Sequence, residues 1–342
     1  MDNKKDPGYG RKIKLFLNSK LSPHVIIAHK ALLLYILITY RRLLLSPFDR
    51  FPFLPFISCL DAVPSVIFTG FIFILFGSIF ASILKIANYR LVSLISGSIV
   101  IILILSSKTL FSNSLTFTAC LLILIGLYRK KDYLFRIQIS LLYIGASTNK
   151  MIDPDWWNGI YFDFFFRDIF NVDFYQSWVP ENIFAVAKSF GIATIFTELS
   201  LGIAVLIPRI TRNTIIFGLL FHASILVITS GQLSKIFFYI MCAGYLLISK
   251  INIQPLKLSY KSNALLKFVR YLDPSDSIIL GNQTNDKFIL QTNNGNYYGI
   301  KGVMRLFFSK QVLISAFFLL FMIYMQSGFF ISKILHPIFS IF

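Results

Sequence analysis

Three ionisable side chains stand inside apolar runs, where they are hardest to accommodate. Glu198 lies in Ile195-Phe196-Thr197-Glu198-Leu199-Ser200-Leu201-Gly202, and His222 in Gly218-Leu219-Leu220-Phe221-His222-Ala223-Ser224. Lys150 closes Tyr143-Ile144-Gly145-Ala146-Ser147-Thr148-Asn149-Lys150. Ionisable groups within apolar helices are costly and usually face a bundle interior or a water-filled cavity. A buried carboxylate must be paired, hydrogen-bonded or protonated. Glu198 is therefore either a proton relay or anchor in a pocket, or a bond to a neighbouring helix through Thr197, Ser200 or His222. Neutral imidazole can act as acid or base, so His222 is either a catalyst or a satisfied core residue. Gly218 and Ala223 beside it permit close helix approach. Lys150 either snorkels to headgroups or sits at a pocket mouth and acts as a base. Asp153 and Asp155 nearby favour its charged form.

The elements that must position these groups are membrane helices. The chain of 342 residues is 56% hydrophobic with 37 Phe, and its mean hydropathy is +0.71. Ordinary soluble domains are about 45–50% apolar, and a spanning helix needs roughly 20 mostly apolar residues. The sequence offers several such runs. The net charge of +18 does not point to nucleic acid, because the basic residues fall between apolar runs, as cytoplasmic loop charges do. Cys59, Cys120 and Cys242 have no metal-binding or redox spacing and read as small hydrophobes. No metal site is expected.

Residues 1–24 read as a basic cytoplasmic arm. Spans are predicted at about 25–45, 64–84, 91–107, 109–128, 133–149, 183–207, 213–230 and 232–250, with a final apolar segment at 311–331 inside a C-terminal membrane segment, 311–342. With the N-terminus inside, 23 of the 33 Lys and Arg fall on inside segments and nine outside, with Lys30 inside the first span. This favours a cytoplasmic N-terminus. The expectation is an all-α polytopic membrane protein of 8–9 transmembrane helices. An interfacial helix and a small α+β cytoplasmic appendage at 251–310 complete it. In the appendage, Asp273-Pro274 and Asn293-Asn294-Gly295-Asn296 are turn signals, 277–280 and 287–291 read as strands, and 262–272 as a helix.

The 150–182 connection differs from the rest. It holds six of the fifteen acids and all three tryptophans, Trp156, Trp157 and Trp178. Trp and Tyr favour the headgroup level. Residues 155–170 read as one interfacial or re-entrant helix on the outer side, with Asp163 and Arg167 spaced to pair. An aromatic anchor without chemistry is the alternative.

In order, these elements resemble a known pattern. Tyr143-Ile144-Gly145-Ala146, Lys150-Met151 and Asp155-Trp156-Trp157-Asn158-Gly159 are similar to a Tyr…Ala-Gly…Lys-Leu…Trp…Gly segment of the HTTM family, the vitamin K-dependent gamma-carboxylase-like membrane domain. Glu198-Leu199, Pro208-Arg209, Arg212, Gly218 and Phe221-His222 resemble its Glu-Leu…Pro-Arg…Arg…Gly…Phe-His block. The resemblance covers roughly 20–250 and is specific over about 140–250. It implies a base at Lys150, which in the carboxylases deprotonates reduced vitamin K, and a pocket histidine at His222, with Glu198 deeper. Trp156, Trp157, Asn113 and Arg209 would contact the ligand, and a quinone or hydroquinone would be the cofactor. Asn113-Ser114 stands where the carboxylases have Asn-His. The β-rich lumenal domain of the carboxylases has no counterpart, so gamma-glutamyl carboxylation is not expected. Bacterial members imply a bacterial inner membrane. In the tail, Val269–Asp273 and 294–303 resemble a DCC-type thiol-disulfide oxidoreductase-like domain. The Asp-Gly-x-Cys-x-x-Cys motif is missing, and without thiolates disulfide exchange is not expected.

The functional expectation is an outward-facing pocket for a quinone-like or lipid ligand, with no protein partner specified. The alternative is a non-catalytic scaffold or a toxin-protection or partner-binding protein. A transporter ranks last, since no inverted repeat is visible.

Overall fold

The computed structural model describes residues 20–45, 52–129, 132–180 and 183–327, apart from 230, 232–233, 250, 252, 254, 274, 282–287 and 294. Most of the basic arm, Pro47, the turn residues Pro274 and Asn294, and the C-terminal residues 328–342 lie outside them. The chain divides into two compact units, one of 1–130 with 251–318 and one of 131–250 with 319–342.

The helices of the first unit are α1 (Pro23–Thr39), α2 (Ser65–Ile83), α3 (Tyr89–Ser106) and α4 (Asn113–Leu127). Their starts are written in short polar residues. Asn88 Oδ1 accepts from the Arg90 and Leu91 amides at α3, and Ser112 Oγ accepts from the Leu115 amide at α4. Both satisfy amides that have no partner within a helix. Small hydroxyls then join the helices. The two ring nitrogens of buried His29 bond Ser82 at 2.8 Å and Ser93 at 2.7 Å, tying α1 to α2 and α3. Tyr35 donates to Ser114 on α4, and Ser78 bonds Ser96 at 2.9 Å. Between helices in an apolar medium such bonds hold what the hydrophobic effect does not.

The second unit contains α5 (Tyr133–Ile152), α9 (Ala185–Val205), α10 (Thr211–Ile228) and α11 (Lys235–Ile248). Between α5 and α9 lie the short helices α6 (Pro154–Asn158), α7 (Ile160–Phe164) and α8 (Asp173–Trp178), with a π turn at Phe165–Ile169. The single helix expected over 155–170 is thus broken. Gly159 takes φ +90, a left-handed conformation that ends α6 and redirects the aromatic run. The run packs partly on itself, with Phe162, Phe166, Val172, Tyr175 and Val179 in one buried cluster. Arg167 pairs with Asp163 at 3.2 Å, as its spacing predicts, and Tyr175 donates to the same carboxylate at 2.6 Å. Burial and that carboxylate keep the Tyr175 hydroxyl protonated far above the usual tyrosine range.

The appendage belongs to the first unit. It comprises β1 (Leu256–Ser259), α12 (Asn263–Leu272), β2 (Ile278–Leu280), β3 (Ile289–Thr292), β4 (Gly295–Tyr298) and α13 (Gly299–Phe307), after which α14 runs over Lys310–Ser327. The sheet order is β2-β1-β3-β4, with β1 and β2 parallel and the other pairings antiparallel. A parallel pair needs a crossover, which α12 supplies. Leu258 pairs with Leu280 and Leu290 across the sheet, and Leu266 and Leu306 close the core on it. The expected α12, β2 and β3 are present. The turn signal at 293–296 falls where the β3–β4 hairpin closes, with Thr292 paired to Gly295 and Gln291 to Asn296.

The protein is mostly α-helical. Among the described residues, four helical segments, Ser65–Ile83, Tyr89–Ser106, Ala185–Val205 and Pro208–Ile228, are long and apolar enough to cross a membrane, or five segments if the bent pair of α13 and α14 is one span. This is fewer than the eight or nine expected, for two physical reasons. Helices α1, α4 and α11 are apolar but have only 17, 15 and 14 residues. Helix α5 is long enough but carries Arg136, Asn149 and Lys150. The first expected span, 25–45, also ends at Thr39, with a separate helical turn at Arg41–Leu45.

Candidate functional site

The C-terminal end of α5 brings Lys150 against the middle of α9. Lys150 Nζ lies 2.6 Å from Glu198 Oε2, and the two side chains are 17% and 10% exposed. Glu198 therefore has a charged partner, which neither Thr197, Ser200 nor His222 provides. Lys150 turns inward, contrary to the snorkelling alternative. Its remaining contacts are the Ala146 carbonyl at 3.5 Å and the face of Trp156, 4.9 Å from the ring centroid. The Lys150 ammonium is thus held between a carboxylate on one side and a π face on the other.

Trp156 is held there by local chemistry. Asp153 Oδ1 accepts from the Asp155 amide, and Pro154 opens α6. The indole stacks on Tyr161 at 4.1 Å and meets the edge of Phe162 at 5.2 Å. Trp157 donates its Nε1–H to the Met151 carbonyl at 2.9 Å and is otherwise exposed. Ser147 adds a second bond between α5 and α9, donating to the Ile195 carbonyl at 3.0 Å.

Two turns N-terminal to Lys150 on the same face of α5 is Tyr143. Its hydroxyl lies 2.7 Å from His222 Nε2 and 2.5 Å from the Tyr245 hydroxyl, which joins α5, α10 and α11. Gly218 makes room for this, since a Cβ there would overlap the Tyr245 hydroxyl. The His222 ring stacks near Tyr143 and takes the edge of Phe237. His222 Nδ1 is buried and has no hydrogen-bond partner among the described residues. If Tyr143 donates to Nε2, Nδ1 carries an unmet proton; if Nε2 donates, Nδ1 is an unmet acceptor. Either leaves a polar group unsatisfied at about 1–3 kcal/mol. Tyr143 and Lys150 share one face of α5, two turns apart. The ion pair and the Tyr–His–Tyr cluster thus form one polar seam in the second unit.

Comparison with known protein families, curated proteins and solved structures returns no match.

The other two expected ligand contacts are Arg209 and Asn113. Arg209 is exposed in the Pro208–Ile210 turn, beyond the end of α9. Asn113 opens α4 in the first unit, with its side chain exposed. No group of three or more His, Cys, Asp or Glu suited to a metal occurs among the described residues. The sequence reading passed over Tyr245 and Arg136. Arg136 is buried and donates to Asp132 at 2.6 Å, to Thr211 Oγ1 at 2.7 Å, and to the carbonyls of Val205 at 3.0 Å and Ile248 at 3.5 Å. A cation at the C-terminal ends of α9 and α11 meets the negative end of each helix dipole. The available signal was an arginine seven residues before Tyr143 on the same helix face.

Proposed function

We propose that this is a multi-pass membrane protein of the HTTM, carboxylase-like class, whose polar seam binds a quinone-like or lipid ligand drawn from the bilayer. The observation that carries the reading is the inward Lys150–Glu198 pair on the same helix face as Tyr143, which bonds a buried His222 whose Nδ1 lacks a partner among the described residues. An unmet ring nitrogen and an ion pair reached from one face of α5 suit a ligand with a carbonyl or hydroxyl. The pair also has somewhere to put a proton. Transfer from Lys150 Nζ to Glu198 Oε2 gives a neutral amine and acid, and the amine then accepts a proton from a ligand hydroxyl. With α1, α4, α5, α11 and α14 crossing as well as the four longer spans, nine helices cross. The N-terminus is then cytoplasmic, as the loop charges favour, and Lys150 opens to the outer side.

The second reading is a scaffold or a toxin-protection factor. It is favoured by the fact that each of these bonds joins two different helices. Mass spectrometry of small molecules retained by the purified protein separates the two. A quinone-like molecule held by the wild type and lost in Lys150→Ala and His222→Ala supports the pocket. Bulk phospholipid alone in all three overturns it.

A further inference from the structure

The appendage carries a surface that its own fold does not use. Helix α13 has three faces. Gly302 and Leu306 point into the sheet, Leu306 within the appendage core. On the opposite side Ile300, Met304, Phe307 and Phe308 follow one another at helical spacing and are 80%, 55%, 63% and 65% exposed, with Val303 beside them. Between these faces stand exposed Lys301 and Arg305, the guanidinium of Arg305 lying 5.6 Å from the centre of the Tyr297 ring. Two residues after α13 ends, the chain enters apolar α14, which opens with Lys310 and bends by 51° from α13.

We propose that α13 lies flat on the bilayer surface, its apolar face in the acyl boundary and Lys301, Arg305 and Lys310 on anionic lipid headgroups. Continuity commits it to this occupant. Only Phe308 and Ser309 separate α13 from a helix apolar enough to enter the membrane. An amphipathic helix with aromatic and aliphatic residues on one face and Lys and Arg flanking it is the pattern of interfacial binding. Juxtamembrane cations add attraction to acidic lipids. Insertion of α13 as the first part of a span is disfavoured, because its inner face is packed on β3 and β4 and would carry β4, the strand at the sheet's edge, into hydrocarbon.

The test uses the full chain in phosphatidylcholine–phosphatidylglycerol nanodiscs. Cys59, Cys120 and Cys242 are replaced by serine, and a single fluorophore is placed through Ile300→Cys, Met304→Cys, Phe307→Cys, Lys301→Cys or Arg305→Cys. Lys267→Cys, on exposed α12, is the solvent reference. Nitroxide lipids should quench labels at 300, 304 and 307 at least about three-fold more than at 301, 305 and 267. Equal quenching by a water-soluble quencher at all six positions overturns the proposal. So does protection from both quenchers, which means that protein, such as a second copy, covers the face. In the unmodified protein, diazirine-bearing lipid should crosslink to 299–308 and spare 263–272; the reverse pattern also overturns it. Lys301→Gln with Arg305→Gln should cut that yield several-fold, and an unchanged yield overturns the assignment of the cations to headgroups.

Discussion

At the residue scale, the seam rests on two kinds of bond that fail differently. Lys150 and Glu198 are both largely withdrawn from water. Removing one partner strands the other charge, whereas replacing both with apolar groups of similar size can be neutral. Glu198→Gln should therefore lower stability by roughly 3–5 kcal/mol, and Lys150→Met with Glu198→Leu should recover most of it. Thermal unfolding in detergent micelles checks this, and an additive double variant would show that the two side chains do not depend on each other. The tyrosines make a finer comparison. Tyr143 bonds both His222 and Tyr245, whereas among the described residues the Tyr245 hydroxyl bonds only Tyr143. Tyr143→Phe should cost roughly 2 kcal/mol and Tyr245→Phe roughly 1 kcal/mol. Equal losses in the same melts would mean that the Tyr143–His222 bond contributes little.

At the element scale, α5 and α9 pack closely around Gly202. A Cβ at Gly202 would lie 2.8 Å from Ile144 Cγ1 and 3.3 Å from both the Ile144 amide nitrogen and the Ser140 carbonyl oxygen. Two of these three atoms are backbone, so the helices themselves must part. Gly145 on α5 has nothing within 4 Å of the same added atom. Gly202→Ala should destabilise by about 1–3 kcal/mol, while Gly145→Ala should stabilise by up to about 1 kcal/mol through helix propensity. Urea or thermal melts of the two variants should move in opposite directions. The same contrast explains what the sequence could disclose. Apolar runs reveal α2, α3, α9 and α10, because length and hydropathy alone define them. Lys150, Glu198 and His222 stand out because an ionisable group in such a run is conspicuous. Their pairing is not legible, since 48 residues separate Lys150 from Glu198 and only the α5–α9 packing joins them. Tyr245 looks like any other aromatic residue in an apolar helix until Gly218 is seen to face it. The break at Gly159 was hidden in a continuous aromatic run, because aromatics suit both a helix and a bend. Strands β1 and β4 are four residues each and half polar, too short for alternation to register.

At the scale of the whole molecule, each unit is stitched internally by polar groups at helix ends. In the first, the turn after α2 is joined to the appendage through Lys85. Its ammonium donates to the carbonyls of Arg270 at 2.9 Å and Asp273 at 2.7 Å and pairs with Asp276 at 2.6 Å. Tyr89, at the start of α3, donates to the same carboxylate. Lys85 and Asp276 both sit at positive φ, +57 and +51, a backbone cost of roughly 1 kcal/mol each for residues with a side chain. The latch must exceed that cost to persist. Partial burial works against the charged carboxylate of Asp276, but Lys85, Tyr89 and Lys30 outweigh it and hold its pKa below the ordinary value of 3.8. A group depressed in the folded state contributes stability that is fully present above its unfolded pKa and is lost as pH falls through the folded one. The Tm gap between the wild type and Asp276→Asn should thus stay constant from about pH 7 to about pH 5. It should then close as pH drops below 3.8, because the wild type acquires the proton that the asparagine mimics. Lys85→Met should shrink the pH dependence of that gap when placed in both proteins, since it removes the first of the three groups that depress Asp276. A gap that persists unchanged well below 3.8 would mean that Asp276 is held by its backbone turn and not by its charge.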